Sequence, residues 1–483
     1  FYLRIEDTDE KRKVDGAVET IINVLRYFDI EFDEGAGFDD TDPRNAYGPY
    51  FQRQRVEIYH TYAKSLVERG LAYPCFCTEE ELDKVRAKQE EDKVLTGYYG
   101  EYATCRNLSY EEIEANIKAG KPYVLRLRSQ GSPDKEITFV DAIKGEIKLP
   151  ENIHDIVLLK KDGIPTYHFA HAIDDHLMRT TTVVRGGEWL ASAPIHYELF
   201  HLLGFNMPAY AHTAHLMKFD EETGGKRKLS KRKDPELSLD YYRKDGYHPY
   251  TMKVYLLTLL NSNFEEWHEK FPDKDINEFP FSVEKMNQSG ALFDKDKLHN
   301  ICKNELSKLS EEELYDFLYD WAKENEPENV EKWFGNREKM LQILRLYMGV
   351  GAKRRRKDLM YAKQIFELIS YFFDGESAEE MDEFKLDEDM VSKILKSYLA
   401  KYDHNDDNSV WFNKLKEIAD EHGFASDMKA YKANPENFKG NVSDIAEAVR
   451  IAVTGRANTP DLWTIVHIMG EEQMTERIKK HIK

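Results

Sequence analysis

Cysteine is scarce, with four in 483 residues. That excludes a disulfide scaffold and points to a reducing, cytoplasmic compartment. No stretch approaches the roughly 20 consecutive apolar residues that cross a bilayer, which excludes a helical membrane protein. No signal peptide is visible, although the chain opens at Phe1 rather than at a methionine, so a leader could have preceded it. Internal repeats and low-complexity tracts are absent as well, which excludes a solenoid. A surplus of positive charge is also missing. Asp and Glu number 89 against 69 Lys and Arg, for a formal net charge of -20. Blanket nucleic-acid affinity is thereby disfavoured, but a local basic surface is not, because counterion release depends on the phosphates actually contacted. What remains is a charge-rich globular chain, 41% hydrophobic and 33% charged. It is too long for one core, and three to five domains are expected.

The first 70 residues alternate strand and helix. Residues 1–5 form an expected strand and Glu6–Asp9 a polar turn. A helix follows with Val14, Ala17, Val18, Ile21, Ile22, Leu25 and Phe28 on one face, and a second with Val56, Tyr59, Tyr62, Ala63, Leu66 and Val67, closed by Gly70. Residues 72–165 lose this pattern and are expected to be an insertion. Strands return at Ile156–Leu159 and Thr181–Arg185, and a helix opened by Pro194 runs to Leu203 before Gly204. Alternating strands and helices imply an α/β fold with a parallel, doubly wound sheet. Beyond Leu237 strand signals nearly vanish. Residues 311–483 read as helices, for example Val391–Tyr398 and Trp411–His422, broken near Asn325–Pro327, Asp374–Ser377, Asp403–Asn408 and Asn434–Asn437.

Against the acidic background, six of the eight residues from Lys226 to Lys233 are cationic. Such a cluster repels itself unless an anion comes to it, and the ordinary alternative is a solvated basic loop. Lys353–Lys357 is a second cluster, within an expected helical region, where a solvated helix face is the ordinary reading. Arg185 ends a strand at the edge where doubly wound sheets bind ligands, and its fork suits a carboxylate. Glu6 ends another strand and suits an ammonium group, or else a salt bridge to Arg4 or Arg12. Tyr167 offers a hydroxyl and Trp189 a wall, unless both are plain core aromatics. Cys75, Cys77 and Cys105 are the metal candidate, with Tyr102, Tyr98 or Glu101 as the fourth corner, and buried free thiols as the alternative. His168, His171 and His176 are read as pocket and core residues.

Taken in order, several segments resemble the bacterial-type glutamyl-tRNA synthetases, class I enzymes. They are Phe1–Asp9 with Arg12, Gln52–Arg55 with Ile58 and Tyr59, Gly163–Ala170, Asp174–Met178, Val184–Leu190, Lys228–Arg232, Gly290–Asp294 with Lys297 and Leu298, and Ala452–Gly455. The resemblance covers nearly the whole sequence. It implies a Rossmann-like catalytic domain at 1–62 and 166–212, and an acceptor-stem-binding insertion at 63–165. A stem-contact region with the lysine loop follows at 213–310, then helical anticodon-binding subdomains at 311–395 and 396–483. It also implies glutamate activation by ATP with Mg²⁺ and transfer to the 3′ end of tRNA-Glu by a monomer. Lys228, Lys231 and Arg232 would serve the phosphates. Glu6, Tyr167, Arg185 and Trp189 would bind glutamate. Lys353, Arg354, Arg355 and Arg356 would meet tRNA. Some family members hold a structural Zn²⁺ at a Cys-x-Cys pair and a later Cys. Tyr102 is then the chosen fourth ligand here. The family's opening strand, with its Pro-Ser-Pro-Thr-Gly turn and His-x-Gly-His-like signature, is not in this sequence and is expected to precede Phe1. Without that half of the nucleotide site the chain as written is expected to be inactive. A form that also charges tRNA-Gln, and a tRNA-binding paralogue without catalysis, are the alternatives.

Overall fold

The computed structural model describes residues 1–9, 15–38, 41–220, 222–230, 233–373 and 381–483. Lys231, Arg232, Arg12 and Val14 therefore lie outside the described residues. The chain divides into two compact units, Phe1–Leu237 with Lys253–Asp294, and Ser238–Met252 with Lys295–Lys483.

The first unit is α/β and Rossmann-like. Strand Thr182–Gly186 pairs in parallel with Ala209–Thr213, from Thr182↔Ala209 to Gly186↔Thr213. The helix Ala193–Leu203 links them. Pro194 sits in its first turn, and Gly204 (φ 73°) ends it in the left-handed region while its amide donates to the carbonyls of His201 and Phe200. A hairpin from within the irregular region, Glu136–Asp141 with Gly145–Pro150, extends this sheet through Asp141↔Tyr210. Residues 72–165 thus contribute two strands to the sheet that carries Arg185. A separate parallel ribbon pairs Tyr2–Leu3 with Glu34–Gly35. The helix Ala17–Tyr27 follows Gly16 (φ 74°).

The core of this unit brings Tyr59 and Leu66 of helix Val56–Glu68, Phe169 and Ile173 of helix Tyr167–Leu177, and Leu199 and Phe200 of helix Ala193–Leu203 onto Leu127 and Leu158. Each such side chain contributes about 1.5–3 kcal/mol by leaving water. Leu127 and Leu158 come from a three-stranded antiparallel sheet of Ala72–Cys75, Val124–Leu127 and Val157–Leu159. The packing fixes the N-terminus of helix Tyr167–Leu177 beside the ends of the parallel strands.

In the second unit every described regular element is helical. Ser310 caps helix Glu311–Asn325 and Asn441 caps helix Val442–Thr454, each with a reciprocal acidic side chain three residues on. The cluster Lys353–Lys357 is a correction to the helical expectation. It lies on an irregular loop between helices Arg337–Met348 and Ala362–Ile369. Gly349 adopts φ 66° and Gly351 φ 82°, so the helix cannot run into the basic run.

Candidate active site

A cavity of about 990 Å³ opens in the first unit, lined by Arg4, Glu6, Tyr167, Asp175, Arg185 and Trp189 among others. Four residues singled out from the sequence thus converge. Arg185 is the penultimate residue of one strand, Glu6 follows another, and Tyr167 is the first residue of its helix. Trp189 lies in the turn after Arg185 and packs on Tyr167 with ring centroids 4.5 Å apart. Glu6 Oε1 accepts a 3.4 Å hydrogen bond from Arg4. The surrounding protein desolvates the Glu6 carboxyl and raises its pKa, and Arg4 opposes that rise. Burial likewise raises the Tyr167 phenol, with Glu6 adding to it and Arg185 opposing it.

Arg185 meets imidazoles rather than carboxylates. Its Nε donates to His212 Nε2 at 2.9 Å, and its Nη1 lies 3.1 Å from His196 Nδ1. Its guanidinium carbon sits 4.4 Å over the Tyr210 ring. Its Nη2 is buried and has no hydrogen-bond partner among the described residues. Behind it, His212 Nδ1 is 2.6 Å from Asp141 Oδ2. His196 Nε2 is 2.9 Å from His168 Nδ1. His171 Nε2 is 2.9 Å from the Tyr210 hydroxyl, and its Nδ1 lies 3.1 Å from Asp175. Burial holds His168 and His171 at about 4. It also pushes His196 and His212 below the ordinary histidine value. All four are neutral at pH 7 and act as donors and acceptors without charge. His176, by contrast, stacks on Phe205.

The floor beneath Glu6 is an ionic hub. Asp174 is fully buried and accepts from Arg55 Nε at 2.7 Å, the Tyr59 hydroxyl at 2.8 Å and Gln52 Nε2 at 3.0 Å. Its neighbour Asp175 accepts from Arg4 Nη1 at 2.8 Å. Adjacent residues of one helix thus tie helix Val56–Glu68 and the first strand to the same place. Composition gave no hint of Asp141, His196 or His212. Their only signal was a lone histidine or aspartate within a largely apolar segment.

The lysine run forms a hairpin, Leu216–Phe219 with Lys226–Lys228, paired from Met217↔Lys228 to Phe219↔Lys226. Leu229 is buried beneath it. Asp234 closes the turn. It takes a bidentate pair from Arg227 at 2.7 Å and the Ser230 amide at 2.8 Å, and Lys218 lies 3.1 Å away. The hydrogen bonds from Arg227, outweighing burial, hold this carboxyl well below the usual range. Lys228 Nζ lies 3.5 Å from His215 Nε2 and 4.0 Å from Glu188.

Cys75, Cys77 and Cys105 gather with their sulfurs within 4.8 Å of one another. Tyr98 completes the group, its hydroxyl 3.3 Å from both Cys75 Sγ and Cys77 Sγ, with the Cys105 amide donating to it at 2.9 Å. Cys77 and Cys105 sulfurs are 3.5 Å apart. A tetrahedral zinc site with Zn–S near 2.3 Å has donor separations of about 3.5–3.8 Å, so the set fits such an ion. Tyr102, the fourth residue chosen from the sequence, is not the oxygen at the thiols; Tyr98 is. The short turn Gly100–Tyr102 aims the Tyr102 hydroxyl at Asp92, 3.1 Å away.

In the second unit a cavity of about 610 Å³ is lined by Gln342, Arg345, Arg354, Arg356, Asp461 and Thr464 among others. Arg356 pairs with Asp358, and Lys357 donates to Asn304. Lys353 and Arg355 are exposed.

Comparison with known proteins gives these sites a context. Residues 1–300 match the catalytic domain of class I tRNA synthetases (E and Q), and residues 313–482 match an anticodon binding domain. A glutamate–tRNA ligase from Acetivibrio thermocellus is 54% identical over 482 residues, covering 99% of this chain and 87% of that protein. One from Clostridium perfringens is 46% identical over 487 residues, covering 100% and 87%. A crystal structure of a glutamate–tRNA ligase from Elizabethkingia meningosepticum, in complex with its amino acid, gives a TM-score of 0.74 at 26% identity. That of the Elizabethkingia anophelis enzyme gives 0.72 at 27%, and each covers 100% of this chain and 92% of its own. The chain belongs to the glutamate–tRNA ligase family of class I tRNA synthetases.

Proposed function

We propose that this protein activates L-glutamate with ATP and transfers it to the 3′ end of tRNA-Glu. The observation that carries the reading is the convergence of Arg185, Glu6, Tyr167 and Trp189 on one cavity. Arg185 would take the γ-carboxylate in its fork, with its unpartnered Nη2 directed to the ligand. Glu6 would take the α-ammonium in exchange for its long contact with Arg4. Tyr167 and Trp189 would wall the aliphatic stem. The glutamate α-carboxylate attacks the α-phosphorus of ATP and pyrophosphate leaves. The terminal 2′-hydroxyl of the tRNA then attacks the acyl carbon and AMP leaves. Positioning and charge stabilisation dominate such chemistry. Lys231, supported by Lys228, would neutralise charge on the phosphates, and Arg232 would steer the triphosphate. Mg²⁺ would travel with ATP, held mostly through its phosphates.

For tRNA, Arg354 and Arg356 at the second-unit cavity, with Lys353 and Arg355 beside them, would hold unstacked anticodon bases and their phosphates. A structural zinc would be held by Cys75, Cys77, Cys105 and Tyr98 and would brace the acceptor-stem region. Purified protein is then expected to carry about one zinc per chain. Tyr98→Phe should lower zinc content measurably, and Tyr102→Phe should leave it unchanged. Metal-free protein, or the reverse order of the two variants, would remove the site. The reading extends to a cytoplasmic monomer, in keeping with four free cysteines.

The test is glutamate charging of separate tRNA-Glu and tRNA-Gln transcripts, by this chain extended with the opening strand of its relatives. Charging of tRNA-Glu alone is the expected result. Charging of both would mark a non-discriminating enzyme, and charging of neither would leave a tRNA-binding paralogue.

A further inference from the structure

We infer that His196 and His212 are positioning residues that present Arg185 to the substrate as an uncompensated cation, and so set the preference for an acidic over an amide side chain. The inference rests on Arg185 as the receptor of the glutamate γ-carboxylate.

A guanidinium inside a protein normally finds a carboxylate. Arg185 has none within 4 Å among the described residues. Both neighbours that orient it are fully buried imidazoles, one on its Nε and one on its Nη1. Two contacts on different nitrogens fix the plane of the fork, which a single contact would leave free to swing about one bond. The tautomers follow from the chain of partners. Asp141 accepts the Nδ1 proton of His212, which leaves His212 Nε2 as the lone pair facing Arg185 Nε. Asp141 is itself pinned by the amides of Ile143, Lys144 and His212. Those bonds and His212 outweigh burial and keep the carboxyl ionised. Likewise His196 presents the Nδ1 lone pair to Arg185 while its Nε2 proton points to His168. The Asp141 carboxylate behind Arg185 thus acts across a neutral ring. Orientation is supplied, and neutralisation is withheld until a ligand carboxylate arrives. An amide ligand offers a single neutral oxygen and leaves the cation unpaired, which is where a large discrimination arises.

The experiment measures Kd for L-glutamate and for L-glutamine by calorimetry in the full chain, for wild type and for His196→Ala, His196→Asn and His196→Asp. Asn keeps a neutral acceptor near the Nδ1 position, and its glutamate Kd is expected within about 3-fold of wild type. Ala loses one orienting hydrogen bond, for a rise of about 10-fold. Asp, isosteric with Asn, pairs internally with Arg185. It is expected to raise the glutamate Kd about 100-fold, with much less change for glutamine, so that the preference collapses. Equal glutamate affinities for the Asn and Asp variants would overturn the inference, as would an Ala variant that binds like wild type. The Asn–Asp comparison carries the test even if the Ala variant does not fold. Wild type that binds no glutamate would instead sink the functional reading on which the inference rests.

Discussion

Arg185→Met is expected to lower kcat/KM for glutamate by about 10³-fold or more, with KM for ATP and for tRNA nearly unchanged. Removing one partner of a desolvated, hydrogen-bonded charge pair costs roughly 2–5 kcal/mol. Here the loss falls wholly on the amino acid. Lysine should not restore the activity. Its point charge cannot bond His212 and His196 at once and still face a carboxylate. The substitution also strands two buried lone pairs, so a modest loss of thermal stability is expected beside the kinetic one. A glutamate KM unchanged in Arg185→Met would place the γ-carboxylate elsewhere. The measurement is steady-state charging at saturating tRNA with varied glutamate, by the chain extended as for the charging test.

The second large effect is on the fold. Asp174→Ala removes the acceptor shared by Arg55, Gln52 and Tyr59, all buried. Arg55 keeps hydrogen bonds to the carbonyls of Tyr47 and Pro49 but loses its only carboxylate among the described residues. An unpaired charge of that kind costs about 3–5 kcal/mol. For a unit of this size that corresponds to a fall of roughly 6 °C or more in Tm. Asp174→Asn keeps one acceptor oxygen in place and should cost less than Ala. Urea unfolding of the three proteins is the check, and coincident midpoints would show that the hub adds nothing to stability. Because Asp175 holds Arg4 one residue further on, the Ala variant should also weaken glutamate binding through a displaced Glu6.

Much of the candidate site's lining was legible because its residues stand at or near strand ends. The β-branched run Thr181–Val184 marks a strand, and a charged residue near the C-terminal end of a parallel strand points to a ligand. Glu6 follows the first strand, Tyr2–Leu3, after a short gap. The support behind Arg185 was not legible, since it depends on register. Arg185 faces His212 because two strands 27 residues apart pair in parallel at that step, and no local pattern announces it. His196 enters from the linking helix, where a histidine among Leu199, Phe200 and Leu202 looks like any core residue. The three sulfurs of the metal candidate gather as their spacing suggests, and of the oxygens offered beside them it is Tyr98, not Tyr102, that lies against the thiols. Spacing alone does not tell which way a three-residue turn aims its tyrosine. The basic loop was misjudged as helix although Gly349 and Gly351 precede it, a stop signal outweighed by the helices on both sides.

The carboxylate of Asp234 alters how the lysine hairpin looks from a distance. Arg227 is consumed by that carboxylate, and Lys218 shares it with Glu236. The field reaching solvent is therefore weaker than a count of basic letters suggests. With a Debye length of about 8 Å at physiological ionic strength, little of it survives beyond the surface. Passing polyanions are then drawn in only feebly, and in the proposed reaction the hairpin would act on a triphosphate only once the cleft had brought it within reach.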